Sequence, residues 1–365
     1  MPVACGWLPQ TQSKYTVTGA EKMQRQRINR FDNLKGMLII GVVLVHVLSR
    51  VQYLKHELQL PDYLFSVLVC FIMPAFTFMS GLFSSKKWAQ DESIEKIIST
   101  IFLPFVVFHL LQWAIFSRQL RDVFYPSYTT WYLLSLFFWR LLVIPFSKLR
   151  FSFPLSIIAA LICGFTPADD MLEVARTVCF FPFFLAGYYA DKGKIAKLGS
   201  SRVQKALAAG VLAMVLVLVI FLHAKGLPTV QRVFYERYES LGLSNIYGLL
   251  LRALAICIGF ISTGCLICLM PEKNSFLSAL GRNTMPVYVG HPFIIRTYAA
   301  ILAKAGIFAE ISEAGFLVFA AVATCAICLL LGNRYAVAGY QKLMDFVSRI
   351  FLIKKQPQSL QLNQK

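Results

Sequence analysis

Ten blocks of apolar residues, each about 17–25 long, follow one another along this 365-residue chain, and no other feature constrains its fold so tightly. An α-helix rises about 1.5 Å per residue, so about twenty residues cross the hydrocarbon core of a bilayer with every backbone group paired inside the segment. The blocks lie at about 34–53, 62–83, 97–117, 129–147, 152–168, 172–190, 205–223, 246–270, 284–303 and 314–333. Across the chain 57% of residues are hydrophobic and 15% charged, where a soluble domain has roughly half and a quarter. That balance excludes a soluble enzyme, a nucleic-acid-binding domain and a disulfide-stapled secreted module. The expected fold is all-α, a polytopic bundle of about ten transmembrane helices. Pro74, Pro104, Pro182, Pro286 and Pro292 interrupt several blocks, which is tolerated where neighbouring helices or a polar cavity satisfy the freed backbone groups.

The organisation reads as three parts. Residues 1–30 form a polar, basic N-terminal tail, in which Met23 is read as the translation start and the residues before it as unstructured. Val3-Ala4-Cys5 faintly resembles a lipoprotein cleavage site, but no hydrophobic stretch precedes it. Residues 31–335 form one membrane domain with no hydrophilic insert long enough for a soluble domain, and 336–365 form a basic C-terminal tail. Lys and Arg number 36 against 18 Asp and Glu, a net charge of +18. With the N-terminus inside, twenty-three bases fall in the tails and even loops and eight in the odd loops. The fifth loop has only Asp169, Asp170 and Glu173. The positive-inside rule then makes both termini cytoplasmic, and an even number of spans agrees. Much of the positive charge is topology signal and needs no nucleic acid.

Five bases remain within or at the edges of spans: Lys35, Arg140, Arg176, Arg252 and Arg296. A base at a helix centre costs about 2.5–3.5 kcal/mol on insertion scales, so it faces a cavity or a partner. Acids are nearly absent there, Asp32 at the first span's edge being the exception. The set suggests a cavity that receives an anion, with Arg252 as a binding residue and Arg140 as a candidate stabiliser of a developing oxyanion. Lys35, Arg176 and Arg296 lie near helix ends, where the alternative is snorkelling to the interface. His46, His109 and His291 fall at similar depth, about 13–18 Å from the cytoplasmic ends of their spans. A neutral imidazole there can take and return a proton. His46 and His291 are read as functional and His109 as structural. Lys35 and His46, eleven residues apart, share one helix face at a separation of roughly 16 Å, the reach of an extended pantetheine arm. Asp32 can pair with Lys35 one turn away.

A base, ten intervening residues and His46 in the first span resemble the signature of the integral-membrane acyltransferase family 3. Phe76-Thr77-Phe78-Met79-Ser80-Gly81 resembles its aromatic-x-x-Ser-Gly element, and Trp131-Tyr132-Leu133 its Trp-Phe-Leu element. Gly281-Arg282-Asn283-Thr284-Met285-Pro286-Val287-Tyr288 followed by His291-Pro292 resembles its late segment. The chain is most similar to the fucose 4-O-acetylase-like acetyltransferases, over residues about 27–335. The resemblance implies transfer of an acyl group, most simply acetyl from acetyl-CoA, to a hydroxyl of a cell-surface glycan or lipid-linked sugar, in a bacterial inner membrane. It implies His46 as the base or a transient acyl carrier, and Lys35 as the residue that binds the donor phosphates or positions the span. Ser80 and Gly81 then contact the donor or pack helices, and Trp131 stacks on a sugar ring. Many members carry a hydrolase-like soluble domain that this sequence lacks, and no buried acid is in view to orient His46.

Cys265-x-x-Cys268 and Cys325-x-x-Cys328 have the spacing of a four-cysteine zinc set. Both pairs lie in apolar spans, where cysteine behaves as a small hydrophobe, and no metal is expected. The rival class is a secondary transporter of an anionic or sugar-like solute using the buried Arg and His residues. A purely structural subunit would leave the buried bases without a purpose. Dependence on acyl-CoA separates the enzyme from the transporter.

Overall fold

The computed structural model describes residues 28–52, 58–84, 92–117, 119–126, 129–166, 171–306 and 311–352. Among them are sixteen α-helices and no strand. In chain order these are α1 (Asn29–Gln52), α2 (Gln59–Val69), α3 (Ile72–Leu82), α4 (Glu92–Ile97), α5 (Leu103–Phe116), α6 (Trp131–Phe146), α7 (Ser152–Ile162) and α8 (Val174–Tyr189). There follow α9 (Lys192–Ala196), α10 (Arg202–Ala224), α11 (Val230–Tyr235), α12 (Asn245–Leu269), α13 (Phe276–Arg282), α14 (Thr284–Lys304), α15 (Glu313–Gly332) and α16 (Arg334–Phe351). Each of the ten apolar blocks is thus largely helical, the second being divided between two helices. Among the described residues, six stretches are long and apolar enough to cross a membrane: Asn29–Arg50, Gln59–Leu82, Ile94–Phe116, Arg202–Ala224, Asn245–Leu269 and Glu313–Gly332. Three apolar helices, Trp131–Phe146, Ser152–Phe165 and Val174–Tyr189, are shorter.

Proline and capping residues set the local breaks. The block at 59–82 divides between α2 and α3 at Cys70 and Phe71, three residues before Pro74, which has no N–H to give the preceding turn. A π-helical turn, Ile98–Phe102, widens the helix just ahead of Pro104 in the first turn of α5. The side chain of Ser201 accepts from Gln204 N at the start of α10, and Ser275 and Ser278 form a reciprocal capping box on α13. Asn333 turns the chain between α15 and α16 by accepting from Tyr335 N and Ala336 N.

Two close helix crossings hold the core. A Cβ on Gly36 of α1 would fall on the Leu277 carbonyl of α13, and one on Gly281 would fall on the Asp32 carbonyl. The same reciprocity joins Gly81 of α3 to Phe184 of α8 and Gly187 to Phe78. Within lipid, packing rather than water exclusion drives association, so hydrogen side chains at the crossing bring whole backbones into contact. Around the second crossing lies an aromatic core of Trp139, Phe180, Phe183, Phe184 and Phe234, with the Trp139 indole N–H donating to Thr177 O at 2.7 Å. Val203, Leu207, Met214, Val217 and Phe221 of α10 are exposed, as a lipid-facing helix requires.

Arg30, counted from sequence among the tail's bases, is fully buried in α1 and donates to Ala196 O (2.8 Å), Leu198 O and Glu272. The part of the C-terminal tail that is described, through Leu352, is largely the amphipathic helix α16. It buries Met344 and Val347 while Phe346 and Ile350 are exposed. Residues 1–27 and 353–365, which hold the rest of the two tails, lie outside the described residues.

Candidate active site

His46 stands seventeen residues into α1 and six from its end, about 25 Å from the start at 1.5 Å per residue. It is half-buried. The helix α14 brings His291 to it, and the ring centroids are 5.2 Å apart with the planes tilted by 37°. His291 is completely buried. Its Nδ1 lies 2.9 Å from Val287 O, one turn back in the same helix. A carbonyl only accepts, so Nδ1 carries the proton and Nε2 is left with its lone pair. Nε2 has no hydrogen-bond partner among the described residues. The ring that packs beside His46 is thus that of another histidine.

His46 lines a cavity of about 240 Å³ formed between α1, α2, α3, α6, α8 and α11. Its polar lining comes from His46, Ser49, Arg176, Gln231 and Tyr235, and its apolar wall includes Trp131, Ile72, Phe180 and Phe234. Arg176 is paired with Glu173 at 2.6 Å, and its guanidinium lies over the rings of Tyr235 (4.4 Å) and Trp131 (5.3 Å). Its charge is close enough to act on the His46 ring. Sequence reasoning left Arg176 between cavity and snorkelling; its position at the head of α8 fits either, and only the fold turns it inward.

Lys35 lies nearer the other end of α1. Its ammonium pairs with Asp32 at 2.8 Å and sits 4.9 Å from the Phe83 ring centroid. Lys192, which had been counted only as topology signal, lies 4.8 Å from the same ring. Two cations thus gather on one aromatic side chain, about 16 Å along α1 from His46.

Behind the histidine pair runs a second polar seam. Ser80 Oγ and the Tyr132 hydroxyl are 2.8 Å apart, and Tyr132 also donates to Phe76 O at 3.2 Å. Tyr132 packs on Tyr288 (5.9 Å), which donates to Thr129 O and in turn packs on His291 (6.1 Å). Arg140 stands within electrostatic reach of Tyr132 and is not among the residues that line the His46 cavity. Gly81 is occupied by the crossing with α8.

Arg252 does not join this site. It is buried, stacks 4.6 Å over Tyr238, and donates to Val233 O (2.7 Å), Glu236 O (2.5 Å) and Ala160 O (3.3 Å). Its donors clamp the segment around α11 to α7. His109 likewise has both ring nitrogens engaged, with Val123 O at 2.9 Å and Thr130 Oγ1 at 3.2 Å. Arg296 stacks on Phe116 at 4.3 Å. Among the described residues no group of three or more His, Cys, Asp or Glu is placed to hold a metal, so the two cysteine pairs do not converge.

Residues 28–333 match the family model described as an acyltransferase domain. No curated protein and no solved structure gives a significant match.

Proposed function

The chain belongs to the integral-membrane acyltransferase family 3, and we propose that it transfers acetyl from acetyl-CoA to a hydroxyl of a cell-surface glycan or lipid-linked sugar, with His46 as general base. The observation that carries this reading is the pairing of His46 with the buried His291 at a cavity large enough for the acceptor group. Support for the donor comes from the other end of α1, where Lys35 and Lys192 flank Phe83 and supply positive charge for the phosphates of CoA. The roughly 16 Å between Lys35 and His46 suits an extended pantetheine arm.

In the proposed step, an unprotonated nitrogen of His46 takes the acceptor's hydroxyl proton as the oxygen bonds to the thioester carbonyl carbon. The tetrahedral intermediate then collapses, the C–S bond breaks, and the leaving CoA thiolate receives the proton from His46. His291 is assigned a positioning role: its Nδ1–H is engaged by Val287 O, which leaves Nε2 with a lone pair on a ring that packs beside His46. Ser80 bonded to Tyr132, with Gly81 at the helix crossing, fixes the wall between the two ends. Arg140 supports that wall through its charge beside Tyr132. Donor entry at the Lys35 end is the cytoplasmic side by the distribution of basic residues, and the cavity beyond His46 receives the acceptor.

The test is transfer of radiolabelled acetyl from acetyl-CoA in membranes carrying the wild type or His46→Ala at matched expression. Label reaching glycan or lipid-linked sugar with the wild type alone is the expected result. Equal labelling by both proteins would remove His46 from catalysis. Solute uptake that needs no acyl-CoA, with no transfer by either protein, would replace the enzyme with the transporter.

A further inference from the structure

One wall of the cavity carries a second built feature besides His46. Leu172 and Glu173, immediately before α8, both have φ of 55°, in the left-handed region that residues with a side chain avoid. That turn buries the Glu173 side chain to 4% exposure and sets it against Arg176, one helical turn on. Arg176 is thereby fixed in a partly buried position, its guanidinium over the rings of Tyr235 and Trp131. Its Nη1 donates to Glu173, and its remaining N–H groups are donors at the cavity wall. Gln231, on the same short helix as Tyr235, lines the same cavity.

We propose that Arg176, held in place by Glu173, forms the acceptor subsite with Gln231, Trp131 and Tyr235, and that it takes an uncharged sugar ring whose hydroxyl is offered to His46. The proposal rests on the acyl-transfer reading and adds the chemistry of recognition to it. The Arg176–Glu173 pair is neutral as a unit, and the Arg176 N–H groups with the Gln231 amide offer donors and an acceptor to the cavity, the complement of adjacent hydroxyls that donate and accept in turn. An anionic acceptor group would have to compete with Glu173 for the same guanidinium. Indole and phenol rings suit the apolar C–H face of a pyranose. The cavity volume of about 240 Å³ leaves room for a sugar ring against this wall.

The protein in lipid nanodiscs is titrated with CoA, and separately with neutral methyl pyranosides and methyl uronides, by saturation-transfer difference NMR. The wild type is expected to bind CoA and at least one neutral pyranoside. Arg176→Lys, Glu173→Gln and Gln231→Ala are expected to weaken the pyranoside by about tenfold or more, with CoA binding unchanged as the control for folding. Pyranoside binding that survives all three substitutions, a wild type that binds only uronides, or one that binds CoA but none of the sugars would each overturn the subsite. A wild type that binds a pyranoside through Arg176 but no CoA would leave the subsite standing and overturn the donor instead.

Discussion

Replacing His291 with leucine while His46 is kept, and then removing both, separates partnership from proximity. His291 is fully buried within α14, and leucine fills a similar volume. Its Nδ1–H bond goes to Val287 O, a carbonyl that helical geometry already pairs with the backbone of residue 291. The fold should therefore lose about 1 kcal/mol or less. Loss of a base such as His46 lowers kcat by roughly 10²–10⁴-fold. Losing only the group that orients it should cost about 10–100-fold, or ~1.4–2.7 kcal/mol. The decisive quantity is the double variant. If His291 acts through His46, His46→Ala with His291→Leu should have the same kcat as His46→Ala alone, within about twofold. The assay is the initial rate of radiolabelled acetyl transfer in nanodiscs at saturating acetyl-CoA, with KM for the donor measured alongside. That KM should not move in His291→Leu, and His291→Gln, which retains an acceptor, should recover part of the loss. Two factors that multiply in the double variant would refute the partnership, because independent contributions multiply and a shared one does not.

Three further outcomes are expected. Lys35→Met and Lys192→Met should each raise KM for acetyl-CoA by about 5–30-fold, a partly screened charge on phosphate being worth ~1–2 kcal/mol, and leave S-acetylpantetheine, which lacks those phosphates, unaffected; equal effects on both thioesters would remove the phosphate role. Gly81→Ala should destabilise by about 1–3 kcal/mol, because its Cβ meets the Phe184 carbonyl, whereas Gly210→Ala, with nothing within 4 Å, should be neutral or slightly stabilising in a thermal melt. Arg252→Met, which takes the guanidinium from three carbonyls, should lower the melting temperature by an amount equivalent to about 2–4 kcal/mol, with KM for acetyl-CoA in the surviving protein unchanged.

How far the sequence could be read depended on whether a residue's role lies along its own helix or across to another. Lys35 and His46 are on one helix, so their spacing and shared face followed from 3.6 residues per turn, and the Asp32–Lys35 pair followed from a step of three. His46 and His291 could each be singled out, but only α1 meeting α14 makes them a pair. Arg252 and Arg176 show the opposite hazard. Both are single bases in apolar surroundings, and nothing local says that one meets backbone carbonyls and the other a cavity. Glu173 was readable only as loop charge, because its inward position comes from two left-handed residues that no side-chain pattern announces. The helix α16 escaped for a different reason: its apolar residues form one face of a polar segment, below the density that marks a span.

The position of His46 along α1 narrows what the reaction geometry must be. A base that served a donor and an acceptor entering from the same end would need only a shallow site near Lys35. His46 instead lies past the midpoint of its helix, and its cavity is walled by the head of α8 and by α11, while Lys35 and Lys192 gather at Phe83 towards the opposite end. The glycine crossings at Gly36 with Gly281 and at Gly81 with Gly187 bring α1 and α3 into backbone contact with their neighbours at the Lys35 end, just where a donor would enter. Packing of that closeness leaves little room beside α1 for a bulky group, and a thin, extended thioester arm is what the proposed reaction has to pass. The same constraint makes acyl-chain length a readout of the path: bulkier substitutions at Gly36 should lower turnover with longer acyl-CoA donors before they affect acetyl-CoA. Loss of turnover in equal proportion for all donors would mean that the crossing serves the fold alone.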